Sequence, residues 1–354
     1  MSAHNSRRPP SPVRPSSFLR APFALSTPEP APEPAREPVE KSIVDREQEE
    51  GLRAIREFLK VRTSYDVLPV SFRLIILDTS LLVKRALGIL IQNGVVSAPL
   101  WNSKTSQFAG LLTSQDFINV IQYYWQFPSS LTEIDNFRLS SLRDVERAIN
   151  VPPPETISIS PLESLYKACV LMSNSHARRI PLIDLDDDTG NQMVVSVLTQ
   201  FRILRFVAVN VKETQMLKKP LHEIGVGTYE GLETATMTTP VIDVIHRLVN
   251  KKISAVPILD DQGCVLNVYE AVDILSLIKS GTYDELTLSV GEALLNRPEE
   301  FPGVHTCFES DLLSTIFNTI RQNRVHRLVV IDSDKKLKGM VSLSDILGYI
   351  LKEG

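Results

Sequence analysis

Apolar positions fall into a pattern that recurs four times along the chain, after an opening stretch that has none. Residues 1–40 hold ten of the 23 prolines and almost no periodic apolar positions. Such a composition buries too little surface to offset the entropy of folding, so residues 1–44 are expected to be a disordered proline-rich tail, a linker or docking arm. From Asp45 the spacing turns helical. Leu52, Ile55, Phe58 and Leu59 share one face, which predicts a docking helix over 45–61 that packs on the fold C-terminal to it.

Beyond Arg62 the same small pattern repeats. Short strand-like runs carry anchors at Pro99, Pro181, Pro257 and Val329, spaced 82, 76 and 72 residues apart. An amphipathic helix precedes each anchor, as in Val241, Val244, Ile245, Leu248 and Val249, or Leu312, Leu313, Ile316, Phe317 and Ile320. A polar turn and a second strand come next (108–112, 193–198, 264–269 and 337–343), and then another apolar-periodic stretch that opens at or near an acidic residue. The fold class is therefore α/β, with four tandem modules reading strand, helix, strand, strand, helix over 62–126, 150–212, 228–281 and 300–353. A unit this small buries too little of its surface to stand alone. Pairing sheet to sheet is expected to give two halves, and the two halves a disc with clefts between paired modules.

Composition narrows the function. At 43% hydrophobic and 23% charged the chain can build more than one core. The densest apolar runs, 89–91 and 328–331, are far shorter than a membrane span, so no membrane span is expected. Prolines break up the N-terminus where a secretory signal would need an apolar run, which makes an intracellular protein the expectation. Net charge of −4 argues against nucleic acid as a general partner. Cys169, Cys264 and Cys307 lie too far apart for a metal or disulfide framework and read as free thiols. The six histidines lack metal spacing, and Gly225, Gly227 and Gly231 read as a turn between modules. No phosphate loop, kinase loop or nucleophile elbow is present, so catalysis has no support and no catalytic cofactor or metal is expected.

The segments Arg62–Pro69, Ser97–Trp101, Asp116–Ile121, Leu198–Thr199 with Arg202–Leu204, Arg324–Leu328 and Val341–Leu347 resemble CBS (cystathionine-beta-synthase) repeats. More closely, they resemble the gamma regulatory subunits of AMP-activated protein kinase, the sucrose-non-fermenting kinase of yeasts, in its fungal form. The resemblance covers roughly residues 45–352. It implies a Bateman-type pairing of the modules and a non-catalytic regulatory subunit that binds AMP, ADP and ATP between repeats. It also implies kinase alpha and beta subunits as partners, a role in energy and glucose response, and a cytoplasmic and nuclear location.

Candidate site residues come from both sources. An acid opens the last helix of three modules: Asp116 lies 17 residues after Pro99, while Asp273 and Asp345 lie 16 after Pro257 and Val329. An aspartate there can simply oppose the helix dipole. It can also accept both hydroxyls of a ribose, the role that the resemblance implies. The second module has Arg202 instead, which accepts no hydroxyl proton, so its cleft is expected to be empty. Cations precede two anchors, namely His176, Arg178 and Arg179, then Arg324, His326 and Arg327. They are either a solvated edge or a phosphate cradle. Ser342 and Ser344 add hydroxyls beside Leu343 and Asp345, although Ser344 could cap the helix. By resemblance Thr239, Val244, Ser254 and Ala255 lie at or near a nucleotide base, and Arg297 joins the nucleotide-binding set. The cleft of the third and fourth modules is expected to be the principal site. Val96 and Phe201 stand where animal gamma subunits are basic, which ranks Asp116 and Asp273 below Asp345. It also gives weight to a second reading, a scaffold joining kinase and beta subunits with little nucleotide regulation. A CBS-containing enzyme would need a catalytic domain for which the chain shows no motif.

Overall fold

The computed structural model describes residues 41–129, 136–152, 155–277, 287–297, 301 and 303–352. The chain divides between residues 41 and 42, and every helix and strand of the described residues lies within 42–354. The expected tail lies outside the described residues up to position 40. Its last residues do not: Ser42 caps a helix, α1 (Ile43–Val61), by accepting from Asp45 N at 3.1 Å while the Asp45 carboxylate accepts from Ser42 N at 3.2 Å. This reciprocal cap starts the helix two residues before the apolar spacing indicates. Leu52, Ile55 and Leu59 are buried along α1, and Arg56 Nη1 ties its outer face to the Ile350 carbonyl at 3.1 Å.

The first module runs β1 (Leu77–Asp78), α2 (Val83–Gln92), β2 (Ser97–Asn102), β3 (Gln107–Thr113) and α3 (Ser114–Gln126). A connecting helix α4 (Leu142–Ala148) leads to the second, with α5 (Leu165–Asn174), β4 (Arg179–Leu185), β5 (Gln192–Thr199) and α6 (Gln200–Asn210). After the short α7 (Leu221–Ile224), the third has β6 (Ala235–Thr236), α8 (Val241–Asn250), β7 (Ala255–Leu259), β8 (Val265–Glu270) and α9 (Asp273–Leu277). Then α10 (Val290–Leu294) precedes the fourth, with β9 (Thr306–Cys307), α11 (Leu313–Gln322), β10 (Arg327–Ile331), β11 (Leu337–Ser342) and α12 (Leu343–Leu351).

In three modules the opening strand pairs in parallel with the middle one, which is antiparallel to the third. The second module reduces its opening strand to one parallel bridge, Ile159 to Leu182. Pro161, two residues on, has no N–H with which to extend it. All four antiparallel pairs shift register one residue after the anchor, at Leu100/Trp101, Leu182/Ile183, Ile258/Leu259 and Val330/Ile331. A bulge at one fixed place in every module marks a repeated structural unit.

The register positions the site. It sets the first residue of each middle strand opposite the end of the third strand, just before the final helix: Arg179 faces Thr199, Ala255 faces Glu270 and Arg327 faces Ser342. Basic residues at strand starts are thereby delivered to helix N-termini. Between modules, sheets and helices choose different neighbours. Ala255, Val268 and Val329 meet between the third and fourth sheets, and Phe108 N donates to Gln192 Oε1 at 2.9 Å between the first and second. The helical faces instead join the first module to the third in one core, and α1 with the second module to the fourth in another. Among the described residues no helix is long and apolar enough to cross a membrane.

Candidate functional site

Residues from all four modules enclose a cavity of ≈ 790 Å³. Among the residues singled out in the sequence, Arg178, Arg179, Ser254, His326, Arg327, Ser342, Leu343 and Ser344 line it. Arg324, Arg202 and Glu270 join them. The expected cleft between the third and fourth modules is thus one part of a space to which the second module contributes its cations.

Arg178, Arg324 and His326 project into this space, where water reaches them although protein surrounds them. Crowding of like charge leaves its mark. The Arg178 guanidinium is pulled down to about 10 by burial, then by Arg327 and Arg179. Arg179 is lowered by burial and by Arg324. His326 is pushed from 6.5 to about 4 by burial and by the arginines at 179, 324, 327 and 178, so it is neutral at pH 7. Its ring meets Phe201 edge-on at 5.6 Å between centroids. The cluster is not purely cationic, however. Arg327 pairs with Glu270 at 3.2 Å and reaches Ser254, O at 3.3 Å and Oγ at 3.4 Å. Glu270 had no distinguishing motif in the sequence; only its register opposite Ala255 brings it here.

The three helix-opening aspartates share one device and then diverge. Asp345 Oδ2 accepts from Ser342 N and Oγ, each at 2.8 Å, while Asp345 N donates to Ser342 Oγ at 3.3 Å. This box holds the start of α12 and leaves Oδ1 for another donor. Asp116 Oδ2 likewise accepts from Thr113 N at 2.7 Å and Oγ1 at 2.8 Å. It is 5% exposed, and burial outweighs those bonds to raise its carboxyl to about 6. Asp273 Oδ2 accepts from Glu270 N at 2.6 Å, but both its oxygens are also taken by Arg297, whose Nε lies 2.8 Å from Oδ1. Arg297 spends its remaining donors on Asn267 Oδ1 and the Val268 carbonyl and lies 4.1 Å from the centroid of Phe301. With side chains 8% and 9% exposed, Arg297 and Asp273 form a closed internal ion pair. The capping reading therefore holds for all three acids; Asp116 and Asp345 both keep Oδ1 without a hydrogen bond among the described residues, and of the two Asp345 is the more exposed.

Five other residues named in the sequence are placed as follows by the fold. Val244 is wholly buried in the core shared by the first and third modules, because its place on α8 points inward. Ala255 is 7% exposed and packs between the third and fourth sheets. Thr239 Oγ1 accepts from Thr236 N at 2.9 Å and closes the turn before α8. Asp116, Asp273, Asp345, Arg297 and these three do not line the cavity. Arg202, whose module is expected to hold no nucleotide, points Nη1 at the Val197 carbonyl at 3.0 Å and lines the cavity. Ser344 Oγ, expected to face a phosphate, donates to Gln200 Oε1 at 3.1 Å. Gln200 Nε2 holds the Ala177 carbonyl at 3.3 Å and its backbone N the Arg178 carbonyl at 3.1 Å. No sequence signal distinguished Gln200, whose role arises from the second and fourth modules meeting.

The CBS domain family matches residues 226–280 and 300–352. A Methanocaldococcus jannaschii protein described as a proposed archaeal homologue of gamma-AMPK superposes with a TM-score of 0.59, covering 81% of this chain and 99% of that one at 17% identity, which shows the fold. The 5'-AMP-activated protein kinase subunit gamma of Saccharomyces cerevisiae is 54% identical over 87% of this chain and 96% of its own length. That of Kluyveromyces lactis is 55% identical over 91% of this chain and 98% of its own length. A likeness of that extent places the chain in the gamma-subunit family of 5'-AMP-activated protein kinase.

Proposed function

We propose that the chain is a non-catalytic gamma regulatory subunit that binds AMP, ADP and ATP competitively in this cavity and so alters how it holds a kinase alpha subunit and a beta subunit. The observation that carries this is the arrangement of Arg178, Arg179, Arg324 and Arg327 around one space, with Ser342 and Ser344 in its wall and Asp345, the next residue in sequence, keeping an Oδ1 that accepts no hydrogen bond among the described residues. Guanidinium forks and hydroxyls suit phosphate oxygens, and a free carboxylate oxygen suits a ribose hydroxyl. AMP and ATP differ by two phosphates. A fixed set of cations must therefore repack according to which one it neutralises, and regulation requires that the two ligands favour different protein states. The role in energy and glucose response, and the cytoplasmic and nuclear location, belong to the same proposal.

Calorimetric titration of the full chain with AMP and ATP tests it. Both should bind at one shared site, and Arg178→Ala should weaken AMP by roughly 1.5–3 kcal/mol, the range for hydrogen bonds to a charged group. No heat at millimolar nucleotide would sink the proposal. It would favour the second reading, a scaffold, for which the apolar Val96 and Phe201 in the cavity wall speak.

A further inference from the structure

One acid stands among the cations of the cavity. Of the described residues that line it, seven are arginines and Glu270 alone is acidic. The fold accounts for its place: Glu270 ends β8, opposite Ala255 at the start of β7, and its backbone N donates to Asp273 Oδ2 at 2.6 Å. That bond fixes the main chain and leaves the side chain to reach Arg327 at the start of β10. Arg327 is also the one arginine of the seven that carries an ion pair among the described residues.

The pair ties up half of the guanidinium. Nη1 lies 3.2 Å from Glu270 Oε1 and 3.3 Å from the Ser254 carbonyl, while Nη2 lies 3.4 Å from Ser254 Oγ. Nη1 has two protons to give, and these contacts take both. A guanidinium grips phosphate through two parallel N–H groups. A phosphate held by the Nη1 and Nη2 fork must therefore displace the carboxylate, and one held by the remaining edge binds beside it. Either way an anion meets an anion. The side chains are 15% and 19% exposed, so salt and water screen that encounter weakly.

We propose that Glu270 is an internal anion standing where a ligand phosphate meets Arg327, and that it sets the charge selectivity of the cavity. The proposal rests on the nucleotide reading above and deepens it. Repulsion grows with ligand charge, so Glu270 penalises ATP more than AMP. Glu270 belongs to the third module and Arg327 to the fourth, so exchange of carboxylate for phosphate also breaks the ion pair across their seam.

The same contact would serve a different purpose if Glu270 merely held Arg327 in place for the phosphate, and one variant separates the two. Glu270→Gln keeps an oxygen to accept from Nη1 and removes only the charge. Calorimetric titrations of the full chain, wild type and variant, use AMP, ATP and inorganic tripolyphosphate at fixed ionic strength without divalent cations. The variant should bind AMP at least about threefold tighter and ATP by a larger factor, shifting the preference towards ATP. Tripolyphosphate, which has no nucleoside, should gain as well. Glu270→Asp keeps the charge and should keep the wild-type ratio of ATP to AMP affinity. A Glu270→Gln protein that binds all three as wild type does, or more weakly, would overturn the proposal and leave Glu270 a positioning residue. Thermal melts check that the variant folds, and Glu270→Ala gives the same comparison where it does not. If neither nucleotide binds the wild type, the nucleotide reading fails, while the tripolyphosphate comparison still decides the role of Glu270. Tripolyphosphate that binds neither protein overturns that role too.

Discussion

Cutting Arg297 back to methionine should destabilise the protein by about 3–5 kcal/mol, the loss expected when one partner of a buried ion pair is removed. The structure supports the upper part of that range. Arg297 touches both oxygens of Asp273, Asn267 Oδ1 and the Val268 carbonyl, and its removal leaves Asp273 with the 2.6 Å bond from Glu270 N as its remaining partner. Because both side chains are less than a tenth exposed, water cannot replace the guanidinium without opening the module. Adding Asp273→Asn removes the orphaned charge and should restore at least ~1 kcal/mol, the sign of coupling between neighbours. Urea denaturation monitored by tryptophan fluorescence is the assay. Trp101 and Trp125 both lie in the first module, whose core is shared with the third. A loss under ~1 kcal/mol, or a double variant no more stable than the single one, would refute the view that this pair holds the third module's last helix start.

Asp116→Asn should stabilise the protein near pH 7.5 and do little at pH 4. Asp116 titrates at about 6 when folded, so its contribution is present below the unfolded value of about 3.9 and is lost as pH rises through 6, which melts across that range would read. His326 works in the opposite sense: its folded value of about 4 lies below 6.5, so stability is full above 6.5 and falls as pH drops towards 4, and His326→Gln should flatten that slope. Gly339→Ala should cost about 1–3 kcal/mol in thermal melts, since a Cβ there would sit 2.7 Å from Tyr229 Cδ1 and 2.9 Å from the Thr228 carbonyl. Gln200→Leu should cost about 1–3 kcal/mol by orphaning the Ala177 carbonyl and Ser344 Oγ, and unchanged stability would show that this seam is not cooperative.

The repeat was legible because its signals are local. Anchors at Pro99, Pro181, Pro257 and Val329 each precede a register shift by one residue, and apolar spacing alone placed α8 and α11. What the residues concealed is what distant segments do to one another. Val244 falls on the apolar face of its helix, but only the meeting of the first and third modules decides which core that face enters. Arg297 and Asp273 stand 24 positions apart, and nothing in either marks the other as its partner. Glu270 becomes the counterion of Arg327 across 57 positions through the union of two sheets. Cation clusters close in sequence, such as Arg178 with Arg179 or His326 with Arg327, were easier, because one strand start delivers both members.

The helical core that joins the first module to the third has a bearing on how the chain is made. Leu87, Leu90, Phe117 and Ile121 share their cluster with Val241, Ile245 and Ile274, which are synthesised more than a hundred residues later. At about 5–20 residues per second, translation leaves the first module with an uncovered apolar face for several seconds. A nascent chain in that state is a substrate for holding chaperones until the third module emerges. A truncated product ending after the second module would keep that face bare permanently and be prone to aggregate.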